Sequence, residues 1–229
     1  MACALLSGAA MAEKPRLPGV GPGDPRRVVE VGQAPWHALG RVQTELGGRC
    51  TGALVGPRMV LTAAHCLVAP NSGRLLRPGS VHFLRGYARG AWRAAARVAS
   101  FRAGPGFDPA RRGPLAADWA LLTLERDIAP ATESLPLWRA LPPPGTPLTL
   151  GGYQQDRPEL LMADPACRLL GVVRGAEGPA LLRHGCAGTH GASGAPLLLE
   201  TAPGQWAILG VAVAAGAAHG MAVPAAALP

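Results

Sequence analysis

The sequence predicts an all-β protein built as two small β-barrels, and three observations carry that expectation. From Val28 onward the apolar residues come in short runs of strand length separated by turn residues. The 31 Gly and 24 Pro are scattered through the 229 residues and interrupt any long helix. A proline-rich stretch, Ala129–Pro147, then divides the runs into two groups of about six strands.

Taken in order, Glu13–Arg27 is rich in Pro and Gly and reads as an extended lead-in. The first group of strands is expected at Trp36–Val42, Thr51–Val55, Met59–Thr62, Val81–Leu84, Arg97–Phe101 and Trp119–Leu124. Pro142, Pro143 and Pro144 in a row cannot join a central strand, so Ala129–Pro147 reads as a linker. The second group is expected at Leu148–Leu150, Arg168–Val173, Ala180–Leu182, Pro196–Leu199 and Ala207–Val213. The resulting division is 1–27, a signal-like segment and lead-in that is a candidate propeptide, 28–128, a first barrel, 129–147, the linker, and 148–229, a second barrel.

Composition narrows the chemistry. Hydrophobic residues make up 48% of the chain but aromatics only 4%, so the core must be built from small aliphatic side chains, and disorder of the whole chain is excluded. Lysine and arginine number 22 against 14 acidic residues, a formal net charge of +8, yet Lys14 is the single lysine. That excludes Walker-A phosphate binding, kinase chemistry, lysine Schiff bases and Ser-Lys dyads beyond the N-terminal segment. Arg85, Arg89, Arg93 and Arg97 recur every fourth residue, which would suit a basic helix face. Gly86 and Gly90 between them favour a solvated hairpin instead.

The five cysteines are Cys3, Cys50, Cys66, Cys167 and Cys186. Cys3 lies in the uncharged stretch Met1–Ala12, which ends in a small-x-small pattern and reads either as the end of a secretory signal or as an ordinary flexible terminus. Its removal leaves four cysteines, a set suited to two disulfides in an oxidising compartment, secreted or periplasmic. No C-x-x-C or H-E-x-x-H pattern supports a zinc site. Trp206–Val223 reaches the bare length of a membrane helix. It lacks basic anchors, contains His219 and ends at Pro224, so it reads as buried strands and turns.

Three segments carry chemistry together. Leu61-Thr62-Ala63-Ala64-His65-Cys66 places a histidine at the end of an apolar strand. Ala117-Asp118-Trp119-Ala120-Leu121-Leu122 places one acid at the head of an apolar run, where it would be partly buried and would need a partner. Gly188-Thr189-His190-Gly191-Ala192-Ser193-Gly194-Ala195-Pro196 sets a serine among small residues that allow close backbone approach. A serine is a poor nucleophile until a histidine takes its proton, and that histidine must be held in one tautomer by a buried acid. Glycine two residues before the serine lets the N–H groups of Gly191 and Ser193 converge as an oxyanion hole. The order His, Asp, Ser is that of chymotrypsin-like enzymes. The α/β-hydrolase elbow is broken by Ala195, and no aspartate follows Ser193.

On these residues the chain resembles a trypsin/chymotrypsin-fold serine endopeptidase, in style similar to the bacterial glutamyl-endopeptidase-like branch. T-A-A-H-C around His65, D-W-A-L-L from Asp118 and G-A-S-G-A-P around Ser193 are similar to the family's three motifs in order, from about Val28 to Val223. The resemblance implies two six-stranded antiparallel barrels with the active site in the cleft between them. His65 and Asp118 would come from the first barrel, and Ser193 with the Gly191 and Ser193 oxyanion hole from the second. It further implies that a Cys50–Cys66 disulfide braces the histidine loop and that Cys167–Cys186 ties the second barrel near the serine loop. No cofactor is implied. The partners implied are protein or peptide substrates and a cognate inhibitor, with a monomer and no specific nucleic acid or integral membrane span.

The pattern departs from the family in two places. The aspartate that binds a new N-terminus after activation is replaced by Ala192, although Arg27-Val28-Val29 resembles an activation site. Processing there is therefore expected to matter less than in trypsin. The pocket-base position falls at Ala187, which removes support for Arg or Lys specificity. No histidine lies in Leu209–Gly216 to support glutamyl specificity, and His190 reads as a loop residue at the pocket. With Thr189, Val213, Ala214 and Ala215 around it, the pocket is expected to take a small or medium apolar side chain. The rival expectation, from another class, is a protease-fold protein of weak or no turnover that binds acidic polymers or surfaces through its arginine-rich face.

Overall fold

Where apolar and polar residues alternate in the short runs, one face of the strand is buried. Val81 and Phe83 are fully buried while His82 and Leu84 between them are only partly so. The computed structural model describes residues 17–21, 23–174, 179–216 and 218–229. The signal-like segment 1–12 and the start of the lead-in lie outside the described residues.

Among the described residues thirteen strands follow in order: β1 (Arg27–Val28), β2 (Leu39–Thr44), β3 (Arg49–Gly56), β4 (Met59–Thr62), β5 (Val81–Arg85), β6 (Ala94–Ala103), β7 (Ala120–Leu124), β8 (Pro147–Gln154), β9 (Arg157–Val173), β10 (Leu181–His184), β11 (Pro196–Ala202), β12 (Gln205–Ala215) and β13 (Gly220–Pro224). Strands β2 to β7 close the first barrel in the order β2-β3-β4-β7-β6-β5. In the second, β9-β10-β13-β12-β11-β8 closes through the pairing of β8 with β9, and the short β1 adds to the outside of β9. All strand pairings are antiparallel, as expected for an all-β double barrel.

The sequence-based strands are met in place but differ in extent. Trp36–Ala38 forms a 3-10 turn before β2, with Pro35 at its N-terminal flank. Leu148–Leu150 and Arg168–Val173 prove to be parts of the much longer β8 and β9, which polar residues such as Gln154, Arg157 and Asp164 had masked. The arginine stripe lies on the β5–β6 hairpin, the solvated alternative. Arg85 nevertheless leaves that stripe: it is buried, donates to the carbonyls of His37 and Ile128, and pairs with Glu133. Trp206–Val223 falls on β12 and β13. Among the described residues no helix is long and apolar enough to cross a membrane.

The core is aliphatic, as the composition requires. One cluster fills the first barrel with Leu39, Leu54, Leu61, Phe83 and Leu122 and continues through Tyr153 and Leu161 to Leu198, Ile208 and Val211 of the second barrel. A smaller cluster around Leu148, Leu150, Leu169, Leu182, Leu197 and Leu209 fills the rest of the second barrel. The barrels are therefore packed on one another through a shared apolar seam, which fixes the cleft at its edge.

Candidate active site

Strand pairing brings the histidine and the acid together. Thr62 at the end of β4 lies opposite Ala120 at the start of β7. His65, three residues beyond Thr62, and Asp118, two before Ala120, thus emerge at the same barrel end. Each sits at a 3-10 turn, Ala64–Leu67 for the histidine and Leu115–Ala117 before the acid. Cys66 beside the histidine is joined to Cys50 on β3.

Asp118 is 1% exposed, and both of its oxygens are used by His65. Oδ1 accepts the His65 backbone N–H at 2.8 Å, and Oδ2 lies 2.6 Å from Nδ1. A carboxylate only accepts, so Nδ1 is the donor in this pair, and in the neutral imidazole that tautomer leaves the lone pair on Nε2. Cys50, Cys66 and His65 bring possible metal-ligand atoms within 4.8 Å of one another. The two sulfurs are bonded to each other, so no thiolate is offered there.

Ser193 comes from the other barrel, on the loop between β10 and β11. Two glycines let that loop pack closely, Gly194 against the first barrel and Gly191 against β8. At Gly194, φ is +79°, and a Cβ would overlap Thr62 Oγ1 and the Thr51 carbonyl. At Gly191, φ is +92°, and a Cβ would lie 2.6 Å from the Tyr153 carbonyl. Only glycine fits either position.

The peptide planes around the serine are pinned by their carbonyls. His190 O accepts the Gln155 N–H at 2.8 Å, and Ala192 O accepts the Ala195 N–H at 2.9 Å. In a trans peptide the N–H points opposite the C=O. The Gly191 and Ser193 N–H groups therefore face away from those partners, and neither donates to a protein acceptor among the described residues. From the first barrel, Thr51 completes the support: its N–H donates to Ser193 O and its hydroxyl to Gly191 O, both at 2.9 Å.

His65, Asp118 and Ser193 line one cleft of about 380 Å³ together with Thr189, His190, Val213, Ala214 and Ala215. Of the expected pocket residues, Ala187 is not brought to it. That residue lines a neighbouring cavity with Gly19 and Pro25, and its N–H is held by buried Asp164 at 2.8 Å. No hydrogen bond joins Ser193 to His65 among the described residues, which is common before substrate tightens such a site. Cys167–Cys186 is formed, seven residues before the serine.

Several contributors were not read from the sequence. Pro18 lines the cleft, and Gly19 O accepts the Gly188 N–H at 3.0 Å, so the lead-in runs along the pocket wall. Buried His184 also lines the cleft; burial pushes its pKa down to about 4, aided by the nearby His219. Buried Arg26 and Gln154, with the partly exposed Asp156, form a polar cluster behind the serine loop. Long-range partners of this kind leave no local pattern. The one available hint was the unusual Asp-Pro-Arg-Arg at the end of a Pro/Gly-rich lead-in.

Known proteins share this fold. A family model described as a trypsin-like peptidase domain matches residues 50–210. No match is found among curated proteins. A Glu endopeptidase solved in complex with MPD superposes with a TM-score of 0.70 at 21% identity, over 89% of this chain and 93% of that one. A thermostable serine protease from an extremophilic microorganism gives 0.63 at 20% identity, over 82% and 91%. Human heparin binding protein gives 0.65 at 22% identity, over 88% and 91%. At such identities the structural likeness establishes the fold.

Proposed function

We propose that this chain, which belongs to the family of trypsin-like peptidase domains, is an exported serine endopeptidase working through Ser193, His65 and Asp118. The observation that carries the reading is the buried Asp118 carboxylate, both oxygens on His65, set in the same cleft as Ser193. Ser193 Oγ attacks the peptide carbonyl while His65 Nε2 takes its proton. Asp118 keeps the imidazole in the required tautomer and stabilises the imidazolium. The Gly191 and Ser193 N–H groups receive the charge that develops on the carbonyl oxygen. His65 then protonates the leaving amine, and water, activated by the same imidazole, releases the acyl group. Every step uses groups of the chain and water.

Ala212, Val213, Ala214 and Gly188 form an apolar part of the cleft lining, which also holds Arg112 and His190, and that part supports a small or medium apolar side chain before the cut bond. Two disulfides support an oxidising compartment, secreted or periplasmic. The rival reading, a binding protein of little turnover, draws on Arg89, Arg93 and Arg97, which remain exposed, and on the likeness to human heparin binding protein. Hydrolysis of fluorogenic casein by the wild-type chain beside Ser193→Ala decides between them. Turnover lost in the variant supports the peptidase; a folded wild type with none supports the binder.

A further inference from the structure

Arg26 carries a permanent charge on a side chain that is 1% exposed. A guanidinium has five N–H donors in one plane, and all five are used. Nε and Nη2 donate to the two oxygens of Asp24 at 2.8 and 2.9 Å. Nη1 and Nη2 donate to the two oxygens of Asp156 at 3.0 and 2.9 Å. The last N–H, on Nη1, donates to Gln154 Oε1 at 2.6 Å. Burial opposes the charge, but the hydrogen bonds to Asp24 and Asp156 outweigh it and raise the pKa.

The neighbours of this cluster lead to the serine loop. Gln154 Oε1 also accepts the Thr189 N–H at 3.0 Å. Gln155 Nε2 donates to Thr189 Oγ1 at 3.1 Å, and its backbone N–H holds the His190 carbonyl at 2.8 Å. That carbonyl sets the direction of the Gly191 N–H, because both belong to one planar peptide. Ala192 offers no charged side chain; within the loop its carbonyl is held by the Ala195 N–H and its N–H by the Thr189 carbonyl, whereas the His190 carbonyl is held from outside, by Gln155.

We propose that Arg26 is a positioning residue for the oxyanion donors: by clamping residues 154–156 it holds Thr189 and His190, and so aims the Gly191 N–H into the cleft. The inference rests on the oxyanion-hole reading of Gly191 and Ser193 given above. It assigns the lead-in a part in the working enzyme. It also specifies arginine, since a lysine ammonium cannot serve two carboxylates and an amide in one plane.

The test compares wild type with Arg26→Gln and Arg26→Lys in the full chain. Its readouts are kcat and KM on an apolar peptide ester, affinity for a peptide boronate, whose tetrahedral adduct needs the oxyanion donors, and affinity for the product peptide, which does not. The expected result is a kcat lower by about 10- to 100-fold and a matching loss of boronate affinity, with KM and product binding within about threefold of wild type. Arg26→Lys recovers only a small part. Unchanged kcat and boronate affinity in a folded variant, or equal loss of boronate and product binding, overturns the proposal. Should Arg26→Gln not fold, Asp156→Asn is judged by the same readouts, with a smaller selective loss expected and no loss overturning it. A wild type that neither hydrolyses nor takes a sulfonyl fluoride removes the peptidase reading and this proposal with it.

Discussion

The Thr51 hydroxyl of the first barrel donates to the Gly191 carbonyl of the second at 2.9 Å, while accepting the Tyr153 N–H at 2.9 Å. The next residue before it, Cys50, is bonded to the cysteine beside His65. One short piece of β3 thus ties the histidine loop and the serine loop to a common reference.

Thr51→Val keeps the shape but leaves Gly191 O and the Tyr153 N–H without that hydroxyl. Each loses a buried partner, so urea unfolding should show a loss of about 1–3 kcal/mol. Because the serine loop is released at Gly191, kcat should fall by about tenfold with little change in KM. Thr51→Ser, which restores the hydroxyl, should recover most of both. Equal kcat in Thr51→Val and wild type would show that the loop is held without it.

Asp118→Asn tests the tautomer. The amide can place an N–H toward His65 Nδ1, which would then need to accept and move its proton to Nε2. That nitrogen could no longer take the Ser193 proton. Peptide-ester kcat is expected to drop by about 10³- to 10⁴-fold with substrate affinity nearly kept. Stability should change far less than activity, so calorimetry beside kinetics separates the two effects.

What the sequence revealed and what it concealed divide along physical lines. His65, Asp118 and Ser193 were legible because each sits in a short local motif whose neighbours are fixed by backbone needs, such as Gly191 and Gly194 at positive φ. Strand positions followed from apolar runs. The lengths of β8 and β9 did not, because buried polar residues such as Gln154 and Asp164 answer to distant partners rather than to a period. Arg26 illustrates the limit: Gln154 and Asp156 lie far along the chain from it, so only the folded chain brings them to the guanidinium.

His184 makes stability depend on pH. Its folded pKa is depressed to about 4 from 6.5, first by burial and then by His219. Nδ1 accepts the Cys186 N–H, and Nε2 is buried with no hydrogen-bond partner among the described residues. Below pH 6.5 the unfolded chain binds a proton that the native one refuses, so stability falls as the pH drops from 6.5 towards 4. The loss approaches about 3 kcal/mol before the native imidazole also protonates. Urea midpoints between pH 4 and 7 should show this slope, and His184→Gln should reduce it. His37, whose pKa is also lowered by burial, leaves a remainder.

Trimming the lead-in separates two roles that it combines. Pro18 lines the cleft and Gly19, at the neighbouring cavity, holds the Gly188 N–H of the cleft wall, whereas Asp24 and Arg26 support the loop behind it. A chain beginning at Gly23 loses the first pair and keeps the second. It should bind apolar substrates with a lower KM and an unchanged kcat. A chain beginning at Val28 loses both, and Val28 itself is a half-exposed residue paired with Met162 on β9 rather than a buried terminus. Its kcat should therefore fall by about 10- to 100-fold, the opposite of activation by cleavage. Kinetics on the two chains, each checked for folding by thermal unfolding, distinguish the roles. A rise in kcat on trimming to Val28 would mean that the lead-in restrains the site instead of supporting it.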